Sequence, residues 1–139
     1  MESDFVFITG DQEQLLGPGD PNMEYVERVF DTNGCVASQP AILVLMVKGA
    51  PNGLRDTDVC LNGLPIGGTL HYYHSPADQW RTVMAFIPPG VLADGTSVLR
   101  SRRIGQCAGL YVRNMVCFFK RASSAEHADH GEQARERGR

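Results

Sequence analysis

The sequence predicts an all-β protein: a single antiparallel β-sandwich of about eight strands, followed by a flexible charged tail. Three observations carry that prediction. Fifteen glycines and eight prolines fall between short apolar runs, the punctuation of a sheet protein with many turns. The stretch Asp58-Val59-Cys60-Leu61 alternates and ends on Asn62-Gly63, a strong local signal for a tight hairpin turn. Trp80 to Ile87 alternates again and is stopped by Pro88-Pro89-Gly90, because two prolines cannot donate to a sheet ladder. At 139 residues the chain suits one domain with a sizeable core, assigned here to residues 1–120, with 121–139 as the tail.

Taken in order, Phe5-Val6-Phe7-Ile8 is a short β-prone run that stops at Thr9-Gly10, and Asp11 to Asn22 reads as a loop. Met23 to Phe30 reads two ways. As a helix it would start at Asp20-Pro21 and present Met23, Val26 and Phe30. As a strand it would set Tyr25 and Val29 against Val26, Arg28 and Phe30, and its shortness favours the strand. Ala41 to Val47 is apolar on both faces, which places it in the middle of a sheet or beneath a subunit contact.

After Asn62-Gly63 the extended chain is expected to resume over Ile66–Leu70. In the next strand Trp80, Thr82, Met84 and Phe86 share a face, and Trp80 reads as a core anchor that this face continues. The last strand, Leu110 to Phe119, sets Leu110, Val112, Asn114, Val116 and Phe118 on one side. If that side is the core, Asn114 is buried and needs a hydrogen-bond partner. From Arg121 the composition turns polar and mixed in charge, as in a tail that lacks an apolar face.

Composition excludes several function classes. The net charge of −3 is scattered, and no basic stripe with interleaved aromatics marks a nucleic-acid surface. Arg100, Arg102 and Arg103 read as a solvated strand face. No apolar run approaches the ~18 residues of a membrane span. Met1-Glu2-Ser3-Asp4 carries acid where a signal peptide carries base, so a cytoplasmic location is the default, with signal-independent export as the alternative. Cys35, Cys60, Cys107 and Cys117 form no Cys-x-x-Cys pair, so no zinc site is expected. Cys35 and Cys107 fall in turns and would pair only in an oxidising compartment; free thiols are favoured.

The order of turn motifs resembles the galactose-binding-domain-like jelly rolls, which include accessory, carbohydrate-binding modules of glycoside hydrolases. The residues that carry the likeness are Asn62-Gly63, Ile66-Gly67, Trp80-x-Thr82, Ile87-Pro88-Pro89-Gly90-x-Leu92-x-x-Gly95-x-x-x-Leu99 and Val112-x-Asn114-x-Val116. They specify turns, hence fold more than function. Thr96-Ser97 replaces the Asn that such turns carry, and Arg100-Ser101-Arg102-Arg103 replaces an alternating apolar strand, which would suit a sheet edge.

His71-Tyr72-Tyr73-His74, with Asp78 nearby, is the most suggestive loop: rings with polar tips suit a sugar face or a protein contact, and the resemblance implies ligands at such loops. Two histidines alone do not make a metal site, and neither do His127 and His130 in the tail. Asp56, Asp58 and Asn62 lack calcium-loop spacing. No nucleophile elbow, phosphate-binding glycine loop or His-Glu-x-x-His is present, so neither catalytic residues nor a cofactor are assigned.

Two uses follow. The first is a structural or interaction subunit that self-associates as a homo-oligomer or docks on a protein, with Ile42, Val44 and Met46 as interface positions. The alternative is a carbohydrate-binding module that uses the His71–His74 loop.

Overall fold

The computed structural model describes residues 1–15, 26–48, 57–66, 79–103 and 111–123. Within these the chain is all-β and forms two antiparallel sheets. The first combines β1 (Glu2–Phe7), β9 (Tyr111–Arg121), β4 (Ala41–Lys48) and β7 (Arg81–Ile87) in that order, with the two-residue β2 (Gln14–Leu15) also pairing with β9. The second has the order β3 (Val26–Thr32), β8 (Gly95–Arg103), β5 (Thr57–Leu61), β6 (Leu64–Pro65). From β3 onward the chain passes back and forth between the two sheets, as in a jelly roll.

The inner faces make one core. Leu43, Leu45 and Val47 of β4 and Val83, Ala85 and Ile87 of β7 meet Phe30, Val59, Leu61 and Leu99 of the second sheet. Each large aliphatic side chain so buried contributes about 1.5–3 kcal/mol. β4 lies between β9 and β7, in the middle of its sheet, where its two-sided apolar run belongs.

Several expectations need correction. The loop expected over Asp11–Asn22 contains β2, drawn onto the end of β9 at Val112 and Tyr111. After Asn62-Gly63 the strand resumes at once, Leu64 pairing with Leu61 and Pro65 with Cys60, because the two-residue turn with φ of 50° and 81° leaves no slack. Residues 67–70 of the expected continuation lie outside the described residues. β8 stands between β3 and β5 and is no edge. Its Ser97, Leu99 and Ser101 face inward, while Arg100 points out and meets Glu27 at 2.8 Å. Arg121, placed in the tail by composition, closes β9: its guanidinium bonds Asp4 and the Asn33 carbonyl, and Ala122 N–H reaches Gly34.

The largest correction is in β9. Val112 is buried, but so are Met115, Cys117 and Phe119, whereas Phe118 is exposed. The register with β4 shifts between Val44, opposite Val116, and Met46, opposite Arg113. Two residues, Asn114 and Met115, therefore oppose Leu45 alone, which is a β-bulge. Asn114 takes the left-handed backbone conformation this needs, with φ of 51°. The end of β1 clasps the bulge: Asn114 N–H bonds Gly10 O at 2.7 Å, Met115 N–H bonds the Thr9 hydroxyl at 3.1 Å, and Ile8 N–H bonds Met115 O at 2.8 Å.

Three polar side chains hold the 91–95 loop between the sheets. The Thr32 hydroxyl donates to Ala93 O at 2.7 Å and stands 2.7 Å from the Ser97 hydroxyl. Ser97 must then donate to Thr32, leaving its lone pairs for Ala93 N–H and the Asn62 amide, both at 3.2 Å. Asn62 Nδ2 also donates to Val91 O, and its Oδ1 accepts Val98 N–H, each at 2.8 Å.

Cys35 and Cys117 are buried free thiols and Cys60 is half-buried; Cys107 lies outside the described residues. Burial first, and the neighbouring Cys35 second, push the Cys117 thiol from an ordinary 9.0 up to about 12.

Three measurements check this account. In chemical denaturation Asn114→Gly should match or exceed the wild type, while Asn114→Val should cost about 1–2 kcal/mol, the penalty of forcing a β-branched residue into the left-handed region; equal costs would contradict the bulge. In a Cys107→Ser background, a thiol reagent should modify Cys60 in the native state and reach Cys35 and Cys117 only on unfolding. Because the folded Cys117 holds its proton to about pH 12, stability should be unaffected by it below pH 9.0 and fall between the two values. Cys117→Ala should fall less steeply across that window.

Candidate functional site

The bulge decides which side chains of the first sheet face outward, and those side chains form the candidate site. Beyond Asn114, Val116 and Phe118 point away from the core. Register then sets Phe118 beside Phe5 on one flank and Ile42 on the other, with Phe86 beyond Ile42. Two residues along the strands, Phe7, Val116, Val44 and Met84 make a second row. Eight apolar side chains thus stand in two rows across four strands. Phe5 contacts Phe7 edge-on at 5.9 Å and Phe118 at 6.0 Å.

This field is open. Phe7 is 60% exposed, Met84 56%, Phe5 55%, Phe86 53%, Phe118 45% and Ile42 42%. A solvated antiparallel sheet face would alternate polar residues into these positions. The outer face of the second sheet does so in part: the exposed Val29 stands there between the Glu27–Arg100 ion pair and Asp31, which is opposite Thr96.

At one end of the field stands an aromatic and cationic group. Trp80 is half-buried, and the Arg113 guanidinium lies 4.2 Å from its ring centroid, Lys48 Nζ 4.9 Å from it. Lys48 also lies 5.6 Å from the Tyr111 ring and is ion-paired with Glu13. Arg113 Nε is buried without a hydrogen-bond partner among the described residues. At the other end Lys120 donates to the Ser3 hydroxyl at 2.8 Å.

The sequence placed some of these residues and missed others. Ile42, Val44 and Met46 do share the outward face of β4, Ile42 exposed and the other two half-buried. Trp80, Thr82, Met84 and Phe86 share a face, but it is the outer one; Val83, Ala85 and Ile87 are the core side. Alternation separates the two sets and does not say which faces in. Trp80 is therefore no core anchor. Asn62 turns its amide inward, its oxygen accepting Val98 N–H and its nitrogen donating to Val91 O and Ser97. His71, Tyr72, Tyr73, His74, Asp78, Asp56, His127 and His130 lie outside the described residues. Phe5, Phe7 and Phe118 were not foreseen as site residues: their juxtaposition depends on β1 pairing with β9 across the length of the chain.

A shallow depression of about 460 Å³ lies among Asn62, Gly63, Ala93, Val98 and Arg100 at the far sheet. Its polar groups are already spent, Asn62 on the 91–95 loop and Arg100 on Glu27.

No family model and no curated protein matches the sequence. Among solved structures the chain is similar to part of BpGH86A, a β-porphyranase of glycoside hydrolase family 86 from the human gut bacterium Bacteroides plebeius. The TM-score is 0.61 at 10% identity, over 87% of this chain. This chain spans about a fifth (21%) of that enzyme's length. It is also similar to a family 35 carbohydrate-binding module from Clostridium thermocellum, with a TM-score of 0.48 at 17% identity over 84% of this chain and 98% of that one. The likeness to that part of BpGH86A is one of fold, in keeping with the two-sheet β-sandwich seen here.

The sole tryptophan gives a direct check on the Trp80 group. Arg113→Ala should change Trp80 emission and cost about 0.5–1 kcal/mol of stability. Arg100→Ala, on the other sheet, should leave the emission as it is. An unchanged spectrum in Arg113→Ala would show that the cation does not stack.

Proposed function

We propose that this chain works by binding and performs no reaction, as an interaction subunit that docks on protein through the outer face of its five-stranded sheet. One observation carries the reading: two in-register rows of apolar side chains cross four strands with no charged group among them. Six of those side chains leave roughly 600 Å² of apolar surface in water, at the top of what a monomer ordinarily shows, and such patches mark contacts. Unlike a sugar site, the field offers almost no hydrogen-bonding group.

A second reading, a carbohydrate-binding module, is favoured by a different observation. The Trp80, Tyr111, Lys48 and Arg113 group combines ring faces with cations, and its Trp80 stands two residues after Asp78 in sequence, close behind the His71–His74 stretch. The fold shared with a domain of a glycoside hydrolase supports this reading.

Three variants separate them. In a glycan-binding assay, a carbohydrate module should bind, lose about tenfold or more on Trp80→Ala or Tyr72→Ala, and ignore Phe86→Glu. A docking subunit should bind no glycan and respond to Phe86→Glu in a hydrophobic-surface assay. Glycan binding abolished by Trp80→Ala would replace the docking reading.

A further inference from the structure

We infer that the occupant of the apolar face is a second copy of this chain, packed sheet on sheet about a twofold axis that runs along the strands between β9 and β4. The inference rests on the docking reading above and specifies its partner.

The first argument is self-complementarity. A twofold interface brings one patch against itself, residue i against j and j against i, so a charge inside the patch would be buried twice over unless an opposite charge stood at the matching position. The two central rows contain none. The second argument is area. A standard interface takes about 800 Å² from each partner. The roughly 600 Å² of the six most exposed side chains falls a little short, and the half-buried Val44, Val116 and Met46 beside them supply more.

The third argument is register. The four strands β1, β9, β4 and β7 have β9 and β4 at their centre, so an axis between these two exchanges β9 with β4 and β1 with β7. Phe118 of one copy then lies over Ile42 of the other, Val116 over Val44, Phe5 over Phe86 and Phe7 over Met84. Every apolar position lands on an apolar position. The cations avoid one another: Arg113 falls over Met46, its own neighbour across the β9–β4 ladder, and Lys120 lies beyond the rows. An axis across the strands, set between the two rows, would instead bring the Lys120 end over the Arg113 end. Aligned sheets pack about 10 Å apart, so these pairs meet as side-chain contacts and not through backbone.

The test is the solution mass of the full chain by sedimentation, from low to high micromolar concentration. The wild type should run at twice the chain mass. Ile42→Glu and Phe118→Lys should each raise the dissociation constant roughly 100-fold or more, as for a charge at the centre of a desolvated contact. Val29→Glu, on the outer face of the other sheet, should change nothing. Mixing Ile42→Glu with Phe118→Lys should restore a dimer, because the proposed axis puts the two new charges together across the interface. Circular dichroism checks that each variant folds; if either does not, Phe86→Glu with Phe5→Lys reads the second predicted pair in the same way.

A dimer that survives these substitutions uses another surface and overturns the proposal. A dimer that they break but mixing does not restore overturns the axis. A wild-type monomer at every concentration overturns the second copy as partner. In that case binding of a hydrophobic-surface dye separates the two ideas: dye bound by the wild type and lost in Ile42→Glu leaves protein docking standing, and no dye bound removes both.

Discussion

The bulge at Asn114 is the constraint on which the rest of this structure depends. A single left-handed residue in the longest strand exchanges the two faces of everything that follows it. Without it, Val112, Val116 and Phe118 would share one side, and Met115, Cys117 and Phe119 the other. With it, Val112 joins Met115, Cys117 and Phe119 in the core, and Val116 and Phe118 turn to solvent. Three hydrogen bonds from the end of β1 hold the exception in place, so the first strand and the last fix each other's register.

The two outer faces are consequently different surfaces. One carries the ordinary alternation with an Arg100–Glu27 pair and is at home in water. The other carries phenylalanines on β1, β9 and β7 around the branched Ile42 and Val44 of β4. Charge is confined to its ends, where Lys48 and Arg113 gather on Trp80 and Lys120 leans on Ser3. A face of this kind makes sense as something covered.

The sandwich itself says little about activity, since jelly rolls of this kind carry unrelated functions on different surfaces. Its rigidity matters more. The Thr32, Ser97 and Asn62 network spends its own polar groups on holding the 91–95 loop between the sheets, and a fully satisfied network of this sort locks one arrangement. The apolar face is thus presented on a stiff support.

Reading the chain alone was enough for the local features. Asn62-Gly63 could only be a tight hairpin, because its neighbours alternate and its two residues tolerate positive φ. Ala41–Val47, apolar on both sides, pointed to the middle of a sheet or to a subunit contact, and Ile42, Val44 and Met46 were already visible as one stripe. What the chain could not tell was the sign of each alternation. A period of two divides β7 into Trp80, Thr82, Met84, Phe86 and Val83, Ala85, Ile87 equally well whichever set is buried. In β9 the period breaks at a residue whose backbone conformation is dictated by Gly10 and Thr9, a hundred positions away. Inside and outside are properties of how strands meet, and only the meeting of β1, β9, β4 and β7 made four scattered phenylalanines into one face.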